Sequence, residues 1–511
     1  MRRRSIILLV LAVAVSCTAR TRRTPDDTLV VLIEQQMTSA DPRYALSGYD
    51  AKLNKLVNSG LTVVDSATLR PELALAESMV RVDDLTWDVT VRADAKFSDG
   101  TRVTAADVAG TYADLLREDS DSLFHKGMAE RFHRVEARDE RTARFHLKSP
   151  LATFVTDIDY SIVSYGKGVP EHGKTIGAGP YVIREITSQH VVLDVNPHYV
   201  LGQKPRVPVV EIKFVRDVAA RLLMLAGGSA DLVQNALRYD LIEEVRGRDR
   251  VKIDAAPSVF LTYLLMNNTD PALRDLRVRQ AIALALDRPA IIAAKFGGFA
   301  VPATGLLPPT HWAYNPDVPR WDRDLERARR LLDEAGFPDP DGAGPEPRLR
   351  LVYKTSSDHF RVSVARVIAA QLAEVGIEVE VRAFEFATFF ADVKKGTYQL
   401  ASMQTAEITE PDFYFTYFHS SWIPSAKNPD GYNRWRYINP DVDRLTEQGR
   451  REVDPAKRKT IYAEAQRLVA RDLPIVPLWH EDNVVLSNVD VEGYTITPNA
   501  RLIGLRDAWK R

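Results

Sequence analysis

The sequence predicts a mixed α/β fold divided into two or three domains, on three observations. Strand-like alternation and helical spacing interleave along the whole chain. A helix, a glycine and a strand follow one another directly around Gly376, as in an α/β layer. The chain of 511 residues also exceeds what one hydrophobic core spans.

The elements follow in order. "DTLVVLIEQ" is β-rich and suits a buried first strand. In "LTWDVTVRADAKFS", Leu85, Trp87, Val89 and Val91 alternate with Thr86, Asp88, Thr90 and Arg92, which predicts a half-buried strand. "VTAADVAGTYADLL" turns to helical spacing, with Thr104 as N-cap and Asp107 completing an acidic capping box. "RVRQAIALALDRPAIIAAKF" has the apolar density of a buried helix interrupted by Pro289. "DLERARRLLDEAGF" is an amphipathic helix closed by Gly336. "RVSVARVIAAQLAEVGIEVEVRAFEF" reads helix, Gly376, strand, and "PAKRKTIYAEAQRLVARDLPIVPLWH" repeats this with Pro474 as the stop. "PDPDGAGPEPR" at 338–348 is a Pro/Gly-rich surface loop.

The first residues, "MRRRSIILLVLAVAVSC", pair a basic start with an apolar run too short for a stable membrane span. They predict an export signal. Cys17, the single cysteine, follows a small residue as in a bacterial lipobox, although Ala14 stands where leucine is usual. Lipidation of Cys17 is expected, with residues 18–27 as a polar tether; an ordinary signal peptide with an incidental cysteine is the alternative. A net charge of −1 with interspersed signs gives no footprint for nucleic acid.

The sequence carries no recognisable catalytic constellation. The chain has no Gly-x-Ser-x-Gly elbow. Its ten histidines are not paired at metal-ligand spacing, so no metal and no cofactor are expected. Ser164 and Lys167 match a Ser-x-x-Lys spacing but lack the apolar helix that would make it catalytic. "PDPDG" lacks the distal glutamate of a calcium loop and reads as a turn.

Five stretches together resemble the extracellular solute-binding proteins of the peptide/nickel class, family 5. They are "WDVTVRADAKFSDGTRVTAADVAGTY", "IGAGPYVIRE", "DLRVRQAIALALDRPAI", "RARRLLDEAGF" and the run from "NPDVDRL" to "PIVPL". They occur in family order across most of residues 28–485. Most of these residues read as architectural: Asp99-Gly100 as a turn, Gly177, Gly179 and Pro180 as a bend, Asp275, Arg277, Arg279 and Asp287 as caps and staples.

The resemblance implies a type II periplasmic-binding-protein fold, two lobes around a cleft with an extra domain. It places lobe I at 28–60, 177–255 and 485–511, the extra domain at 61–176, and lobe II at 256–484. It implies a monomer that is not an enzyme. Such a protein is exported to the periplasm or cell surface, binds a peptide or related cationic or zwitterionic solute, and delivers it to an ABC permease and its ATPase. A sensor subunit feeding a receptor is the alternative reading, and a secreted hydrolase a more distant one.

The same resemblance suggests ligand contacts. In "QTAEITEPDFYF", Glu407 matches the place of an aspartate that pairs with a peptide's α-ammonium in relatives. Glu410 and Asp412 are expected to cap the following aromatic helix. Lys354 is the candidate for the ligand carboxylate, beside Thr355, where dipeptide binders carry an arginine. Trp479, His480, Asn433, Trp435, Ser47 and Tyr49 are the remaining cleft candidates, for contact with the ligand's backbone or as its aromatic walls.

Overall fold

The computed structural model describes residues 24–511 apart from 46, 66–68, 121, 123, 167–174, 236, 343 and 406. Cys17 and Lys167 therefore lie outside the described residues. No helix among the described residues is long and apolar enough to cross a membrane.

One eleven-stranded mixed sheet runs through both lobes. In one half, the buried strand Thr28–Ile33 lies parallel to Val209–Phe214 and Leu232–Gln234. In the other, Leu349–Ser356 lies parallel to Ile377–Phe384 and Leu400–Gln404. The halves are joined by two long antiparallel strands, Val251–Met266 and Ile475–Asn488. Their pairing register breaks between Pro257 and Leu261. Residues on one side of this break face the first half, and those on the other side face the second. A ladder interrupted at the crossing is mechanically suited to a hinge.

Each half is covered on both faces. Leu29, Val31 and Ile33 pack with Leu53, Tyr181 and Leu505 on one face of the first half, while Val30 and Leu32 pack with Leu222 and Ile242 on the other. In the second half, Ile282, Ile368 and Trp479 fill one face, and Tyr263, Tyr414 and Trp435 the other.

A separate four-stranded antiparallel sheet spans Ala76–Asp83, Thr86–Val91, Phe132–Ala137 and Thr142–Leu147. Helix Ala105–Leu116 shares its core, where Tyr112 meets Phe145 edge-on at 5.0 Å. The helix opens with the expected capping box: Thr104 accepts from the Asp107 amide, and Asp107 accepts from the Thr104 amide at 2.8 Å. In the expected half-buried strand, Val89 and Val91 are buried, but Leu85 is exposed and Trp87 stacks on Phe154 at its rim.

Two other expectations change. Pro289 does not interrupt a helix. It sits in the first turn of a second one, Arg288–Phe296, capped by Asp287 after Leu276–Ala285 has ended. Proline is favoured there because the first-turn amides have no helical partner. Gly177 and Gly179 also serve a different purpose from a bend. A Cβ on Gly179 would lie 2.5 Å from the Val57 carbonyl carbon, so glycine permits the close crossing of two backbones.

Candidate functional site

The parallel strands of the second half end at Ser356, Phe384 and Gln404. Ligands of open α/β sheets lie beyond such carboxyl ends. Glu407 follows three residues after Gln404, and its carboxylate lies 3.0 Å from Arg501 Nη2 on the C-terminal tail. Arg501 Nη1 lies 3.5 Å from Asp159. Lys55, on helix Gly48–Val57, donates to the Asp159 carboxylate and to its carbonyl, each at 2.6 Å. These charges connect the second lobe, the tail, the segment after helix Phe154–Asp157 and the first helix.

Lys52 adds a second branch. Its ammonium lies 5.0 Å from the centroid of the Tyr49 ring. Burial lowers its pKa, against the opposing charges of Glu34 and Glu407. Burial likewise lowers that of Lys55, against Asp159. Burial also works against the charge on Arg501, but Glu407 and Asp159 outweigh it and hold its pKa above the ordinary value. The cluster thus sets Glu34, Glu407 and Asp159 against Lys52, Lys55 and Arg501. A balanced cluster of this kind can exchange internal pairs for the two ends of a zwitterion without leaving net charge buried. Glu407 retains 34% side-chain exposure, so its carboxylate is still within reach of a ligand.

Several residues expected to line the cleft are instead occupied inside the fold. Trp435 and Trp479 are both fully buried. Trp435 packs against Tyr263 and Phe418, and Trp479 against Phe296 at 5.0 Å. Asn433 fastens its own loop, donating to the Tyr437 carbonyl at 2.7 Å and accepting from the Tyr437 amide at 3.0 Å. His480 is buried within the sheet with Nδ1 3.2 Å from the Phe260 carbonyl, and burial lowers its pKa to about 4. Lys354 is held by Asp392 and the Thr397 carbonyl, each at 2.6 Å. Ser47 caps the first helix, accepting from the Asp50 amide and donating to the Asp50 carboxylate. Only Glu407 and Tyr49 belong to the charged cluster.

Glu410 and Asp412 do not cap the aromatic helix Phe413–Phe418 through their side chains. Glu410 is buried, 2.9 Å from Arg458 Nη1, and accepts from Thr156 Oγ1 at 2.6 Å. Burial raises the pKa of its carboxyl, against the charge of Arg458. Asp412 accepts from Tyr462 and lies 3.3 Å from Arg450. Both acids tie the loop to distant helices. Among the described residues, no cluster of His, Cys, Asp and Glu is arranged to hold a metal.

The family model "Bacterial extracellular solute-binding proteins, family 5 Middle" matches residues 68–425. The chain is 27% identical to the probable D,D-dipeptide-binding periplasmic protein DdpA of Escherichia coli (strain K12), over 96% of both chains. It is 29% identical to the probable di/tripeptide-binding protein 5 of Pseudomonas aeruginosa (strain UCBPP-PA14), over 84% of both. The oligopeptide-binding protein AppA of Bacillus subtilis, solved with a nonapeptide, superposes with a TM-score of 0.76 at 25% identity, covering 95% of this chain and 99% of that one.

Proposed function

The chain belongs to the bacterial extracellular solute-binding proteins of family 5, the substrate-binding components of ABC uptake transporters, and we propose that it captures a short peptide or related zwitterionic solute between its lobes. The observation that supports this reading is the Glu407–Arg501 pair, a partly exposed ion pair across the two lobes inside a charge-balanced cluster. A ligand ammonium would take the place of Arg501 beside Glu407, and a closed complex would be presented to the permease. Binding is proposed to leave the solute chemically unchanged.

Titration calorimetry with a peptide recovered from the purified protein tests the role of Glu407. Glu407→Gln removes the charge and nearly keeps the shape. The cost is about 2 kcal/mol, the low end for one member of a desolvated pair, because the carboxylate is one-third exposed. Affinity then falls about thirtyfold. Equal affinities for both proteins would place Glu407 outside the site. We further propose that Cys17 carries a lipid that holds the protein at the membrane surface, with the lobes exposed to the extracytoplasmic space.

A further inference from the structure

Arg434 is 6% exposed, yet no carboxylate among the described residues lies within ion-pair distance of it. Its guanidinium is sandwiched between the rings of Phe390 and Tyr432, at 4.8 Å and 4.7 Å from their centroids. Among the described residues, Nη1 reaches only the thioether of Met403, at 3.8 Å, and Nε is buried with no hydrogen-bond partner. Thioether sulfur is a weak acceptor. A buried cation without a counter-charge is costly, and structures normally pair it. The other buried arginines differ. Arg221, Arg279 and Arg288 bond to two or more carbonyls each, and Arg458 has Glu410.

The place of Arg434 adds a second observation. Met403 precedes Gln404, the last residue of a parallel strand, and Glu407 follows just beyond. Arg434 therefore approaches the same sheet edge as Glu407. Four residues of chain span at most about 14 Å, so both groups lie within the compass of one short peptide. Phe390, Met403 and Tyr432 are all half-buried, giving the guanidinium apolar walls and one flexible neighbour. Lys354, the residue the sequence suggested for an anionic end, is already neutralised by Asp392.

We propose that Arg434 is the carboxylate-binding subsite of the cleft: a ligand carboxylate displaces the Met403 thioether and pairs with the guanidinium between the two rings. This rests on the peptide-binding reading above. An arginine fork accepts a carboxylate through two parallel bonds, and flanking rings hold its plane.

The test compares a peptide recovered from the purified protein with its synthetic C-terminal amide. Wild-type protein binds the free acid about thirtyfold more tightly than the amide. Arg434→Met binds both alike, and its melting temperature is unchanged or higher, because an unpaired buried charge has been removed. Arg434→Lys, which keeps the charge and loses the fork, discriminates weakly. A wild-type protein indifferent to amidation, or an Arg434→Met variant with the wild-type ratio, overturns the assignment. If no peptide is recovered, the peptide reading fails separately, and N-acetylalanine against N-acetylalaninamide decides the subsite. Stabilisation of wild type but not Arg434→Met by the acid alone supports it, and equal shifts overturn it.

Discussion

Glu410→Gln will destabilise the protein far more than the loss of a helix-end charge would. The Glu410 and Arg458 side chains are 10% and 6% exposed, and their charged atoms lie 2.9 Å apart. At an effective dielectric constant near 20, that separation corresponds to about 6 kcal/mol of attraction. At Glu410 burial outweighs that attraction and raises its pKa, whereas at Arg458 the acidic neighbours outweigh burial. Removing the Glu410 charge therefore leaves the Arg458 guanidinium charged and desolvated without its main partner. The net loss is about 3–5 kcal/mol. Glutamine still accepts from Thr156 and fills the same volume, so charge is the variable that changes. Urea unfolding followed by tryptophan fluorescence measures the loss. Arg458→Met in the Glu410→Gln background should recover much of it, because no lone charge then remains. A Glu410→Gln protein within about 0.5 kcal/mol of wild type, the range of ordinary surface changes, would refute the buried-pair account.

Other outcomes follow from single contacts. His311 and His480 are buried and neutral, with burial holding each pKa at about 4. Their contribution to stability is full above the unfolded value of about 6.5 and is lost as pH falls towards 4, up to roughly 3 kcal/mol per ring. Melting temperature measured from pH 7.5 to 4.5 should fall steeply in wild type and less in His311→Gln/His480→Gln, and parallel curves would contradict this. Gly179→Ala forces a Cβ against the Val57 and Asn58 backbone and should cost about 1–3 kcal/mol, whereas Gly48→Ala, with open space around it, should cost little. A Gly179→Ala melting curve matching that of Gly48→Ala would refute the close crossing. Cys17→Ala should abolish labelling by radioactive palmitate, and labelling that persists in the variant would refute lipidation at the chain's single thiol.

Local geometry was legible in the sequence where a residue's partner is a near neighbour. The Thr104–Asp107 box needs three residues of context, and Gly336 and Gly376, at φ +87° and +83°, follow from the helices they close. Pro289 was harder to place, because an apolar run does not reveal whether it is one helix or two. The site was less legible for a physical reason. Trp435 and Trp479 suit either a core or a cleft wall, and both settings select large apolar side chains. Glu410 sits where a helix cap is expected, yet its counter-charge comes from Arg458, on another helix. Arg501 meets Glu407 across 94 residues of sequence, and nothing in either local pattern announces the other. Arg434 carried one signal, an arginine directly before a tryptophan in an aromatic loop, but only burial distinguishes it from a solvated cation.

Small-angle scattering of the mature protein, with and without a peptide recovered from it, tests the central claim most directly, provided the peptide is weighed by mass spectrometry before and after incubation. The two lobes joined by strands that break register at Pro257 and Leu261 predict a smaller radius of gyration on binding and a peptide returned intact. An unchanged radius with bound peptide, or steady release of a chemically altered product, would contradict a receptor that closes on its solute and passes it on.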